Sequence, residues 1–274
     1  MNADVRDRGG ASAMRGPDSR LLQRFVASVK SAIEWPLFFL PRLHSAALIR
    51  RPVVDLNKLA WVATVRRGQA VLDIGANRGY YTRFLSREVG GAGRVYAFEP
   101  VPASAKTLRA SCAMRPNVSV FEVALSDEIG RRRIFVPGND LQQASLAMHA
   151  GGSWKGCDRI SEHEIDTITL DAWAGVQALA KLDFIKIDVE GAEYKVLLGG
   201  ASTIRKFRPL IYMEICRDWL REFGYEPGDL ERLLREFGYA HIYQPQISGG
   251  RFRLAPVSLL DMEIGDVLVT TQPI

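Results

Sequence analysis

An apolar run, Phe184-Ile185-Lys186-Ile187, leads into three carboxylates spaced within six residues, Asp188, Glu190 and Glu193. In extended chain, residues two apart point the same way, so Asp188 and Glu190 are expected to face one ligand together. Carboxylates held beside a reacting carbon can orient an alcohol and accept its proton. Such a pair can also hold a divalent cation, but no histidine lies nearby in sequence, and no metal is expected. Glu190 and Glu193 can alternatively complement a helix N-terminus. Two histidines are further candidate bases, because imidazole titrates near neutral pH. His163 precedes a strand beginning at Ile165, and His149 lies in a polar loop with Gln142, Gln143 and Ser145, which can hydrogen-bond an acceptor hydroxyl. Asp188, Glu190 and His163 are the expected catalytic residues.

A second cluster, Val71-Leu72-Asp73-Ile74-Gly75-Ala76-Asn77-Arg78-Gly79, supplies a binding site. A short buried strand ends in an acid and a turn bracketed by Gly75 and Gly79, which lets backbone approach a ligand. The helix that follows offers free N–H groups. Asp73 is positioned to accept from a ligand amine. Twenty residues past Gly79 stands Glu99, at the tip of a second strand, where an acid suits the two hydroxyls of a ribose. A dinucleotide fingerprint requires glycine at the positions of Asn77 and Tyr80, and neither is glycine. S-adenosylmethionine, which carries an ammonium and no phosphate, fits the spacing better. An ordinary strand-to-helix turn explains the glycines but not the two strand-end acids.

These residues need a frame of strands alternating with helices. Helices are expected at 56–65, 80–89, 103–114, 171–178, 192–206 and 228–237. Strands are expected at 71–74, 95–99, 118–125, 131–136, 165–170, 184–187, 210–215, 240–244 and 266–271, with Glu214 breaking its strand. That alternation implies an α/β fold with a mostly parallel twisted sheet and right-handed crossovers. The last two strands, with a turn at Gly249-Gly250 between them, imply an antiparallel hairpin at one edge. Ligands of such sheets bind at the carboxyl ends of the strands. The segment from Pro137 to Asp158 has no clear period and reads as an acceptor loop.

The chain has 274 residues, 47% hydrophobic and 24% charged, ordinary for a globular protein. Its net charge of +5 is confined to residues 1–51, which hold nine Lys/Arg against four Asp/Glu, whereas the rest holds 27 of each. A neutral main domain argues against nucleic acid as a partner. Residues 1–18 read as a disordered tail and 19–51 as a helical, aromatic segment. Its stretch 20–42 either packs on the core or touches a membrane surface. Nothing there marks export, so a cytoplasmic location is expected, with membrane association if the acceptor is lipid-linked. Cys112, Cys157 and Cys216 are widely spaced and read as reduced thiols.

The motifs together resemble the FkbM family of S-adenosylmethionine-dependent methyltransferases. The resemblance rests on residues 71–77, Phe98-Glu99-Pro100, Ala124-Leu125-Ser126-Asp127, Thr169-Leu170-Asp171 and residues 185–193, in that order. It covers roughly 52–271 and implies a Rossmann-like class I methyltransferase domain over 52–274. It also implies O-methylation of a small-molecule, sugar, glycolipid or polysaccharide acceptor, or of a natural product. It places Asp73, Gly75, Asn77 and Glu99 on the donor, Ser126 and Asp127 near the adenine, and Asp188 and Glu190 beside the methyl group. The alternative is a module that binds the donor without catalysis.

Overall fold

The computed structural model describes residues 55–274 apart from 139–140, 150–153, 156, 158 and 250. The expectations for 1–51 lie outside the described residues. In chain order the elements are α1 (Leu56–Thr64), β1 (Ala70–Ile74), α2 (Tyr80–Val89), β2 (Arg94–Phe98), α3 (Pro102–Cys112), β3 (Val118–Phe121), β4 (Ala124–Leu125) and β5 (Gly130–Pro137). There follow β6 (Ile160–Ile168), α4 (Leu170–Val176), β7 (Phe184–Ile187), α5 (Glu193–Gly199), α6 (Ala201–Phe207), β8 (Leu210–Cys216), α7 (Arg217–Glu222), α8 (Pro227–Glu236), β9 (His241–Ser248), β10 (Arg251–Pro256) and β11 (Ile264–Thr270).

Eight strands make the main sheet, in the order β10-β9-β11-β8-β7-β1-β2-β3. From β8 to β3 all pairs are parallel, and β11 enters antiparallel between β8 and β9. The chain runs outward from β1 to β3, then returns to the other side of β1 as β7. The crevice above β1 and β7 is therefore the topological switch point, where ligands of open α/β sheets bind.

Period-two alternation sorts the core into two layers. Leu72 and Ile74 of β1, Ile185 and Ile187 of β7 and Met213 of β8 pack with α4, α5, α6 and α8. Val71, Phe184, Tyr212 and Leu268 face the other way, against Trp61 of α1 and Phe84 and Leu85 of α2. Trp61 is fully buried, with Tyr81, Tyr212 and Phe184 edge-on around it. That second face carries charge as well as apolar bulk, since Asp73, Lys186, Glu214 and Asp266 share its alternation with Val71, Phe184, Tyr212 and Leu268.

Four expectations change in detail. The stretch 118–125 is two strands, because β4 leaves the main sheet and pairs with β6 in a three-stranded sheet, β4-β6-β5. The helix over 192–206 divides into α5 and α6, where Gly199 passes so close to the Ser126 carbonyl that a Cβ would lie 2.0 Å from it. Glu214 does not interrupt β8, since its backbone pairs with Asp266. The edge hairpin joins β9 to β10 rather than to β11, which inserts instead between β8 and β9.

Candidate active site

A cavity of about 470 Å³ opens at the switch point. Its floor is the turn after β1, its far wall is Phe98 to Pro100 with Val123 to Leu125, and its roof includes Ser145 and Leu146 from the segment between β5 and β6. Tyr80, Tyr81 and Trp219 supply aromatic walls, and Asp188, Glu190 and Glu214 supply carboxyl groups.

The turn is fixed by one close approach. Gly75 has φ +76, and a Cβ there would sit 1.8 Å from the Asp188 carbonyl oxygen. Only glycine lets the exits of β1 and β7 touch. Asn77 is also left-handed, at φ +48, a conformation asparagine tolerates. Its N–H donates to Glu99 Oε2 at 2.8 Å, and its side-chain amide donates to the Leu141 carbonyl at 3.2 Å. The other oxygen of Glu99 accepts from the Val101 N–H at 2.9 Å. Burial raises the Glu99 carboxyl to about 7, against the pull of those two N–H groups. Gly79, left-handed at φ +84, caps α2 and does not itself line the cavity.

Asp73 lies fully buried beneath the turn rather than facing the ligand. Its Oδ2 accepts from Thr82 Oγ1 at 2.6 Å, and its Oδ1 lies 3.4 Å from Lys186 Nζ. The same ammonium lies 3.2 Å from Asp188 Oδ2 and donates to the Gly75 carbonyl at 2.9 Å. Burial works against its charge, but Asp188 and Asp73 outweigh that and push the Lys186 pKa upward. Lys186 thus joins the two motif turns. Its signal in the sequence was a lysine inside an otherwise apolar strand that must be buried on both faces.

Asp188 and Glu190 do converge, though not as neighbours in extended chain. The strand ends at Ile187, and Glu190 sits left-handed at φ +55. That turn brings carboxylate oxygens of Asp188, Glu190 and Glu214 within 4.8 Å of one another. A divalent cation accepts such spacing, but the Lys186 ammonium already sits against Asp188, and we read the trio as a proton-sharing group. Burial first, then Asp188 and Glu214, raise Glu190 to about 10. Burial and Asp188 likewise raise Glu214 to about 8. Glu193 is a loop staple, since its Oε1 accepts from the N–H groups of Val189 and Gly191, both at 3.2 Å.

Neither histidine, both candidate bases from the sequence, lines the cavity. His163 is exposed on β6, paired across to Ile134, and does not line the cavity. His149 is buried, its Nε2 3.1 Å from the Glu190 carbonyl oxygen, which also accepts from Ser145 Oγ at 2.9 Å. Burial lowers the His149 pKa, so a neutral ring whose Nε2–H donates fits this contact. His149 and Ser145 therefore hold the strained Glu190 peptide. Ser126 and Asp127 do not line the cavity either. Ser126 Oγ donates to Asp127 Oδ1 at 2.9 Å, and Asp127 pairs with Lys195 at 2.9 Å, whereas the preceding residues Val123 to Leu125 face the cavity. No helix among the described residues is long and apolar enough to cross a membrane.

The raised carboxyl groups carry a stability consequence. A carboxyl whose folded pKa exceeds its unfolded value stabilises the fold fully below the unfolded pKa, and that contribution is lost as pH rises through the folded value. Glu99, Glu193 and Asp266, each raised to about 7 chiefly by burial, and Glu214, raised to about 8, all have this sign. The ligand-free protein is expected to melt at a higher temperature near about pH 6 than near about pH 9. Calorimetric scans across that range giving the opposite slope would show that these groups are ionised in the fold.

The sheet is mostly parallel, with β11 inserted antiparallel beside β8 and β10 antiparallel at the edge, and its switch-point cavity is bordered by Asn77 and Tyr80 in place of the dinucleotide glycines; this is the Rossmann-like architecture of a class I methyltransferase. The family model for the methyltransferase FkbM domain matches residues 73–240, and the chain belongs to this family of S-adenosylmethionine-dependent methyltransferases. It is 31% identical over 186 residues to the 2-O-methyltransferase NoeI of Sinorhizobium fredii, covering 64% of this chain and 75% of NoeI. It is 31% identical over 176 residues to the 31-O-demethyl-FK506 methyltransferase FkbM of Streptomyces tacrolimicus, covering 56% and 67%. Among solved structures, the methyltransferase FkbM of Methylobacillus flagellatus aligns over 82% of this chain and 57% of its own, at 15% identity and a TM-score of 0.44.

One feature fits S-adenosylmethionine. The buried Oδ1 of Asn77 and Oε2 of Glu190, both on cavity-lining residues, have no protein partner, which suits a ligand that brings hydrogen-bond donors and positive charge.

Proposed function

We propose that the enzyme methylates a hydroxyl of a sugar, a glycolipid or polysaccharide unit, or a natural product. The relatives support an oxygen acceptor, one being named a 2-O-methyltransferase and the other acting on 31-O-demethyl-FK506. The carrying observation is Asp188, half-exposed to the cavity while held from behind by Lys186. When bound, S-adenosylmethionine supplies an electrophilic methyl group on a sulfonium. Glu99 would accept from its ribose hydroxyls, and Phe98 with Val123 to Leu125 would flank the adenine. Asp188 would align the acceptor hydroxyl for in-line attack and take its proton. Tyr80, Tyr81 and Trp219 form amphipathic walls suited to a ring with hydroxyls.

A panel of hydroxylated acceptors with radiolabelled donor tests the acceptor class. With the acceptor so found, Asp188→Asn is expected to lower turnover by about a hundredfold or more. Its affinity for S-adenosylhomocysteine should stay within about threefold. Lost product binding with normal turnover at saturation would reverse the role given to Asp188.

A further inference from the structure

We propose that this enzyme separates donor from spent product by charge: the sulfonium of S-adenosylmethionine drives a proton off the Glu190–Glu214 pair beside Asp188, and the uncharged sulfur of S-adenosylhomocysteine lets it return. This rests on the reading that places the reacting methyl group beside Asp188.

The geometry leaves those carboxyl groups little escape. Both line the cavity, and their oxygens lie within 4.8 Å of each other and of Asp188. The Glu190 backbone is fixed, because its peptide is left-handed and its carbonyl is held by Ser145 and His149. Its Oε2 has no protein partner. The groups around them come from every packed element. Asp73 stands on β1, Lys186 on β7, Glu193 on α5 and Asp266 on β11, while Tyr81 of α2 has its ring 5.8 Å from Lys186 Nζ. The one ammonium in this row is divided between Asp73 and Asp188, both within 3.4 Å. Among the described residues no Lys, Arg or His forms an ion pair with the carboxyl group of Glu190 or Glu214, so a cationic ligand meets carboxyl groups without a paired cation.

Burial and mutual repulsion leave Glu214, at about 8, and Glu190, at about 10, mostly protonated at neutral pH. A positive charge within a few ångströms lowers a carboxyl pKa by about 1–3. The pair as a unit loses one proton, which passes to the buffer. By linkage, donor affinity rises with pH through the range in which the unliganded pair titrates, because at high pH no proton need be expelled. The ammonium and carboxylate of the amino-acid tail are common to donor and product, so their titration cancels in the ratio of the two affinities.

Calorimetry on the full chain tests this with S-adenosylmethionine and S-adenosylhomocysteine as probes, in buffers of differing ionisation enthalpy. At about pH 7.5, donor binding is expected to release up to about one proton and product binding close to none. The affinity ratio of donor over product should rise about tenfold or more between about pH 6.5 and about pH 9. The double variant Glu190→Gln/Glu214→Gln should remove most of the proton release and flatten the ratio. Equal proton release for both ligands, or a flat ratio in the wild-type protein, overturns the proposal while leaving methyl transfer intact. Release that persists undiminished in that double variant also overturns it, and binding of neither ligand by the wild-type protein would defeat the donor placement itself.

Discussion

Gly75→Ala is expected to abolish donor binding and to lower the melting temperature by roughly 6–12 °C, which corresponds to about 3 kcal/mol in a domain of this size. The added methyl would lie 1.8 Å from the Asp188 carbonyl oxygen, where no contact is possible without moving one of two central strands. Overpacking of a rigid interior costs about 1–3 kcal/mol, and forcing alanine into the left-handed region adds about 1 kcal/mol or more. Gly68→Ala separates the two contributions. Gly68 has φ +82, and an added methyl there would meet nothing within 4 Å, so it should show only the backbone part. Calorimetric binding of S-adenosylhomocysteine and thermal melts of both variants decide the matter. If Gly75→Ala melts like Gly68→Ala and binds normally, the contact between the two turns is not what shapes the cavity.

Much of this site was readable from spacing. Gly75 and Glu99 sit where a strand-end turn and a second strand tip put them, and both line the cavity. Asp188 and Glu190 also converge, but through a left-handed turn that no two-residue periodicity describes. What spacing could not give was the depth of each acid. Asp73 and Glu99 look alike in sequence, each ending a strand. Yet Asp73 belongs to the face covered by α1 and α2 and is sealed beneath Thr82, while Glu99 lies past the end of its strand and opens to the cavity. His163 and His149 illustrate the same limit. Which histidine meets the Glu190 peptide depends on how the segment between β5 and β6 folds back over it, a long-range contact without local signature. The strand at β11 was expected, but its place in the sheet was hidden for a similar reason, because antiparallel pairing between β8 and β9 depends on the whole sheet and not on the turn that precedes it.

Lys186 ties these observations together, and removing it is expected to be as damaging as any single change in the domain. Lys186→Met should cost about 3–5 kcal/mol in urea unfolding, the usual penalty for leaving a buried charge without its partner. Asp73 is the charge left behind. It is fully buried, its Oδ1 has no hydrogen-bond donor, and Thr82 alone would remain to it. The double variant Asp73→Asn/Lys186→Met should recover a large part of that loss, because a neutral amide beside Thr82 tolerates burial better than a lone carboxylate. A cost under about 1 kcal/mol for Lys186→Met, with no recovery in the double variant, would mean that Asp73 carries no charge in the fold. The double variant should still turn over poorly. The ammonium also holds the Gly75 carbonyl and the Asp188 carboxylate, so restoring neutrality at Asp73 repairs the core without repositioning either turn. Stability and turnover thus respond together to Lys186→Met and separate in the double variant, where stability returns without turnover, as they do in Asp188→Asn, which alters the carboxylate we propose to meet the reacting hydroxyl but leaves the buried pair intact.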